Sequence, residues 1–200
     1  MSSPFTLSRI ASTITESIST KQELLQTQSQ NILDCGELLA SAAVSNALIM
    51  LCGNGGSAAD SQHIAAELVV RLRGSVERRA IKAMALTVDS SVLTAGGNDY
   101  GYNRVFERQV EAFASPGSVL VAISTSGTSA NVVQAVTRAN MLGVQTVGLL
   151  GGSGGVLNGL CTKSVVVPST NTARIQECHI MIGHLWCEMI EEAVAPELFR

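Results

Sequence analysis

The sequence predicts an α/β fold: a parallel sheet with helices packed on both faces. Short apolar runs alternate with helix-period segments from residue 47 onward, and 200 residues is the length of one domain. The runs are near-continuous rather than alternating, as strands buried on both faces must be. The domain is expected to span 1–200, with about 1–45 as a helical extension outside any βα repeat.

Residues 3–33 place Ile10, Ile14, Ile18, Leu24 and Leu25 at intervals near four among Ser, Thr and Gln. That spacing predicts an amphipathic helix, broken near Ser19-Thr20. A second helix is expected over about 31–45, the pair covering the sheet or building an oligomer interface. Strands are expected at 47–52, 83–87, 119–123, 146–150 and 164–167. Helices are expected at about 58–72, 90–95, 103–114, 129–142 and 172–195. Ligands of open parallel sheets bind beyond the carboxyl ends of the strands. The loops at 53–57, 98–99, 124–129 and 151–155 are therefore the informative ones.

Composition sets the bounds. Hydrophobic residues make up 46% of the chain, and no apolar run approaches the ~20 residues that cross a bilayer. Residues 1–9 are polar, so no secretory signal is expected. Charged residues are only 14%, below the roughly 25% usual for soluble chains, which points to a surface covered by other copies. A net charge of −3 without a basic block argues against a nucleic-acid partner. Five cysteines with no Cys-x-x-Cys spacing read as buried thiols of a cytoplasmic protein.

Gly53-Asn54-Gly55-Gly56-Ser57 follows the first strand, where glycines allow a sharp turn and leave main-chain N–H groups free to meet an anion. His63 and Glu67 stand four apart on the next helix and share a face, a metal-binding or acid–base pair. Ser124-Thr125-Ser126-Gly127-Thr128-Ser129 joins a strand to a helix. Its hydroxyls at a positive helix end suit a phosphate monoester, or Ser129 simply caps the helix. Gly151-Gly152-Ser153-Gly154-Gly155 lacks a dinucleotide fingerprint and reads as a flexible connection without a ligand. Arg174-Ile175-Gln176-Glu177 opens the last helix, which also carries His179 and His184. By reach alone His179 is the easier neighbour of Gln176, because Gln176 and His184 lie ~12 Å apart along a helix axis. Asn98-Asp99 binds sugar hydroxyls or forms a polar turn, and Arg71 meets a phosphate or a surface carboxylate.

Taken in order, these motifs resemble the sugar isomerase (SIS) family, specifically its branch acting on heptose phosphates, over nearly the whole chain. The resemblance implies a three-layer, five-stranded, flavodoxin-like parallel sheet and a homotetramer with active sites at subunit interfaces. It implies interconversion of D-sedoheptulose 7-phosphate and D-glycero-D-manno-heptose 7-phosphate through an enediol. That reaction opens nucleotide-activated heptose synthesis, one branch of which supplies lipopolysaccharide. One zinc per subunit would be held by His63, Glu67, Gln176 and His184, with Glu67 and His184 catalytic. Substrate would meet Asn54, Gly55, Gly56, Ser57, Glu67, Arg71, Asn98, Asp99, Ser124, Thr125, Ser126, Ser129 and Gln176. The chain departs from the family pattern at Ala173, where an acidic residue is frequent, and at Cys178, where an aliphatic one is. Alternatives are a DnaA-binding regulator on the same fold, an isomerase of another sugar phosphate, and a sugar-phosphate sensor. The presence of both Glu67 and His184 favours the enzyme.

Overall fold

Residues 6–199 are described by the computed structural model. The expected helix start at residue 3, and the first five residues of the polar 1–9 stretch, lie outside them. All five expected strands form, as β1 (Ile49–Cys52), β2 (Ala83–Ala85), β3 (Val119–Ser124), β4 (Gln145–Gly151) and β5 (Lys163–Val167). They make one parallel sheet in the order β2-β1-β3-β4-β5, the flavodoxin-like order. β1 and β3 are buried along their whole length, which is why their sequences run apolar without alternation.

Helices α1 (Leu7–Val44), α2 (Gly56–Val69) and α7 (Thr172–Val194) share a core with one face of the sheet, through Leu24, Leu39, Ile64, Leu68, Ile182 and Trp186. On the other face pack α4 (Val105–Phe113), α5 (Ala130–Met141) and α6 (Gly155–Leu160), through Phe106, Val110, Val132, Val136 and Leu157. Helix α3 (Ser90–Tyr100) follows β2, capped by the Asp89 carboxylate, which accepts from the Val92 N–H at 2.9 Å.

The first helix corrects an expectation. α1 runs unbroken for 38 residues through Ser19-Thr20, because no Gly or Pro interrupts there and the Thr20 hydroxyl folds back onto the Glu16 carbonyl at 2.9 Å. Tertiary packing sustains its second half. A Cβ at Gly36 would lie 2.4 Å from Met189 Sδ, so α1 and α7 approach closely at that glycine. Its first half leaves Leu7, Ile10, Ile14 and Ile18 exposed.

Two loops also differ from expectation. Asn98-Asp99 lies inside α3 rather than in a turn. The 151–155 stretch is a packed turn leading into α6, not a flexible connection: Gly152 N–H donates to Ser169 O, Gly154 N–H donates to Gly151 O, and the backbone of Gly127 presses against Gly154. At Gly127 the backbone has φ of +67°, and a Cβ would lie 1.9 Å from Gly154 O. Gly143 has a similar φ of +70° with open space around it. Urea denaturation of Gly143→Ala is expected to give a loss of about 1–2 kcal/mol, the left-handed backbone penalty alone. Gly127→Ala is expected to lose about 3 kcal/mol or more, because backbone must move as well. Equal losses would mean the 127–154 contact is slack.

Candidate active site

The sheet order reverses between β1 and β3, so the turns that follow these strands flank a crevice at their carboxyl ends. The turn after β1 is tight: a Cβ at Gly53 would sit 2.9 Å from Ile123 O, and Gly55 takes φ of +56°. Asn54, between them, exchanges two 2.8 Å hydrogen bonds with Asn131 on α5 and receives the Tyr102 hydroxyl at 3.5 Å. Ser57, in the first turn of α2, is buried and accepts at its carbonyl from the Ser61 hydroxyl.

After β3, the Ser124 hydroxyl lies 3.0 Å from that of Ser129 and accepts from the Gly127 N–H at 3.1 Å. Ser129 is the N-cap residue of α5, yet its side chain makes no capping bond. The plain capping role is therefore absent, and the hydroxyl is turned toward the loop. Thr125 and Ser126 line a pocket of about 280 Å³ with Gly151, Gly152, Ser153, Thr170, Thr172 and Ile175. It opens where β3, β4 and β5 end, the position expected for a phosphate group. Residues 151–153 carry no ligand motif of their own; their part in the pocket comes from folding the two turns together.

Helices α2 and α7 run side by side in the same direction. Gly56 meets Gln176, Ile64 meets Gly183 and His63 meets His184 in succession. A Cβ at Gly56 would be 2.4 Å from Gln176 Nε2, and one at Gly183 would be 2.5 Å from Ile64 Cδ1. The absent side chain at Gly183 lets the helices close over the buried Ile64, while Gly56 leaves room for the Gln176 amide. At that contact His63 Nε2 lies 2.9 Å from His184 Nε2 and 3.3 Å from Glu67 Oε1. One donor atom from each of His63, Glu67 and His184 falls within 4.8 Å of the others, the one such cluster among the described residues. Two imidazole nitrogens and a carboxylate oxygen are a donor set that suits zinc.

His179 faces the opposite way. It is fully buried, and its Nε2 pairs with the Leu150 carbonyl at 3.0 Å. Burial lowers its pKa from the ordinary 6.5 to about 4, against the opposing pull of that carbonyl. The ambiguity between the two histidines of α7 is resolved by direction rather than reach. Because α7 lies along α2, Gln176 and His184 both face it, Gln176 at the head of the shared groove and His184 about 12 Å further on.

Other expected residues stand apart from this cluster. Arg71 pairs with the Glu77 carboxylate. Asn98 donates to Asp99 at 2.8 Å on an exposed part of α3. Two residues escape sequence reasoning. Tyr102 gives no signal beyond lying close after Asn98-Asp99, and Arg78 gives none at all. The Arg78 side chain is wholly buried and donates to the carbonyls of Glu67 and Leu68 at 2.7 and 2.9 Å.

Residues 14–151 match the SIS domain family. The phosphoheptose isomerase of a Nitratiruptor species is 59% identical over 145 residues, covering 72% of this chain and 76% of that protein. The phosphoheptose isomerase of Aquifex aeolicus is 46% identical over 188 residues, covering 94% of this chain and 97% of that protein. Among solved structures, phosphoheptose isomerase GmhA from Neisseria gonorrhoeae superposes with a TM-score of 0.86 at 41% identity, over 92% of this chain and 98% of that one.

The state of His179 has a consequence for stability. With a folded pKa near 4 and an ordinary value of 6.5, the unfolded chain takes up the proton first as pH falls. Stability from the neutral ring is therefore complete above pH 6.5 and lost as pH falls toward 4, by about 3 kcal/mol. Between about pH 7 and 4 the wild type should lose about that much more stability than His179→Gln, measured by urea unfolding. Parallel curves would contradict the buried neutral ring.

Proposed function

The chain belongs to the SIS-domain family, among its phosphoheptose isomerases, and on that premise we propose how its residues carry the reaction. The enzyme interconverts D-sedoheptulose 7-phosphate and D-glycero-D-manno-heptose 7-phosphate, an early step of heptose biosynthesis. The observation that carries the proposal is the meeting of Glu67 and His184, from two different helices, at one point.

The substrate phosphate sits in the pocket of Thr125 and Ser126, with Ser124 and Ser129 beside it at the α5 terminus. Hydroxyls and a positive helix end bind a phosphate dianion without a lysine. Asn54, Gly55, Gly56, Ser57 and Gln176 line the way toward the helix pair, and Asn98 and Asp99 serve the sugar hydroxyls. From Gly56 to His63 α2 rises about 10 Å, a distance that an extended sugar phosphate spans. Glu67 removes a proton from the ketose C1, and the pair of electrons left behind forms the enediol. His184 gives a proton to the C2 oxygen and takes one from the C1 oxygen. Glu67 then returns its proton to C2, completing the aldose.

The same residues are the proposed zinc site, one ion per subunit, with His63, Glu67 and His184 as donors and Gln176 the fourth once its side chain turns from Gly56 along the groove toward them. Zinc, when bound, polarises the carbonyl and hydroxyl oxygens. The exposed Leu7, Ile10, Ile14 and Ile18 on α1, with the low charge content, support a homotetramer. Arg71, half-exposed beside Glu77, is proposed to act at a site shared between subunits. No helix among the described residues is long and apolar enough to cross a membrane. Four of the five cysteines are buried thiols, which supports a cytoplasmic enzyme. Lipopolysaccharide heptose is the proposed destination of the product.

With sedoheptulose 7-phosphate, Glu67→Gln is expected to lower kcat at least ~10²-fold, the lower end of general acid–base effects, at unchanged oligomer mass. Unaltered turnover would remove Glu67 from its role. Elemental analysis is expected to find zinc lost from His184→Ala and retained in His179→Ala. Equal loss from both would overturn the ligand assignment.

A further inference from the structure

The proposed chemistry uses the middle of the α2–α7 groove, but a second polar cluster closes its far end. Glu191, on α7, is fully buried. Its carboxylate accepts from Arg73 Nε at 2.9 Å, from the Leu72 N–H at 3.0 Å and from Arg78 Nε at 3.1 Å. The Arg78 side chain, also fully buried, spends its remaining donors on the Glu67 and Leu68 carbonyls and on the Arg79 carbonyl at 3.1 Å.

Those two α2 carbonyls belong to its last turn, where helical carbonyls have no partner within the helix. A guanidinium there satisfies them and places positive charge at the negative end of the helix. A simple cap would be a surface lysine or arginine. Arg78 instead stands inside the protein and is tied to the neighbouring helix. Glu191 is seven residues beyond His184, two turns along the same face of α7. One carbonyl that Arg78 holds is that of Glu67 itself. The chain of contacts therefore runs from the Glu67 backbone through Arg78 to Glu191, and along a rigid helix to His184.

From this geometry we infer that Arg78 and Glu191 are positioning residues for the isomerase: they lock α2 against α7 and so hold the distance between Glu67 and His184. This rests on the assignment of Glu67 and His184 to the reaction. Neither member of the pair touches the sugar. Packing of Ile64 against Gly183 sets how closely the helices approach, while the Arg78–Glu191 tie stops one sliding along the other. A displacement of about 1 Å at a reacting group costs on the order of 10²-fold in rate, so a loosened tie should be felt in kcat while the distant phosphate pocket keeps KM.

The test uses the full-length enzyme and compares Arg78→Lys, Glu191→Gln, Glu67→Gln and Val110→Ala, with kcat and KM measured for sedoheptulose 7-phosphate. Arg78→Lys keeps a charge opposite Glu191 but has no planar fork to bridge both helices. Glu191→Gln keeps the shape and loses the charge. Val110 is buried in α4 on the opposite face of the sheet, so its truncation lowers stability without touching the groove. Both tie variants are expected to fold, with kcat down about tenfold or more and KM within about threefold, while Val110→Ala keeps wild-type kcat. Wild-type kcat in Arg78→Lys and Glu191→Gln, or an equal loss in Val110→Ala, would overturn the inference. Failure of both tie variants to fold would do the same, since the pair would then hold the fold rather than the site. Full activity in Glu67→Gln would instead reject the site assignment on which the inference stands.

Discussion

The close, parallel contact of α2 with α7 is the constraint from which the site follows. It depends on Gly183, which leaves room for Ile64 where any side chain would collide. Ile64 is buried to 3% exposure, worth roughly 1.5–3 kcal/mol of apolar burial. That apolar contact does what the polar residues beside it cannot. His63 and His184, facing each other at 2.9 Å, gain little from meeting on their own. They are held together because their immediate neighbours in the chain, Ile64 and Gly183, are packed together.

The sheet supplies the second half of the arrangement. Parallel strands bring every strand-to-helix turn to one edge, and the reversal of order between β1 and β3 opens a crevice there. The turns proposed to bind the phosphate lie along that edge, while α2 leads from it toward the proposed acid–base pair. A phosphorylated sugar can then be held at one end and transformed at the other. The energy of binding the unreactive phosphate is available to position the carbons that react. Gly127 and Gly154 matter to this because their backbones touch, joining the turns after β3 and β4 into one wall.

Much of this is legible in the chain because the signals are local. Unbroken apolar strands, the glycine-rich turn after β1, the hydroxyl-rich turn after β3, and the four-residue spacing of His63 and Glu67 each depend on neighbouring residues alone. What is illegible depends on partners far away in sequence. Ser19-Thr20 reads as a break, but the Thr20 hydroxyl returns to its own helix and packing on α7 carries the rest of α1. The glycines at 151–155 read as slack until Gly127 is placed against them. Spacing alone favours His179 over His184 as the neighbour of Gln176, and misleads because the difference is which face of α7 meets the sheet. Arg78 carries no motif, and its importance appears only when Glu191, 113 residues later, lies beside it.

The central claim is that one bound sugar phosphate reaches both the turn at the sheet edge and the pair carried by α2 and α7. A crystal structure of Glu67→Gln with sedoheptulose 7-phosphate tests this most directly. The account predicts phosphate density against Ser124, Thr125 and Ser126, with C1 and C2 within about 3–3.5 Å of the residue 67 side chain and the adjoining oxygens beside His184. A sugar whose reactive carbons lay away from residue 67 and His184, with its phosphate bound at the same turn, would contradict it.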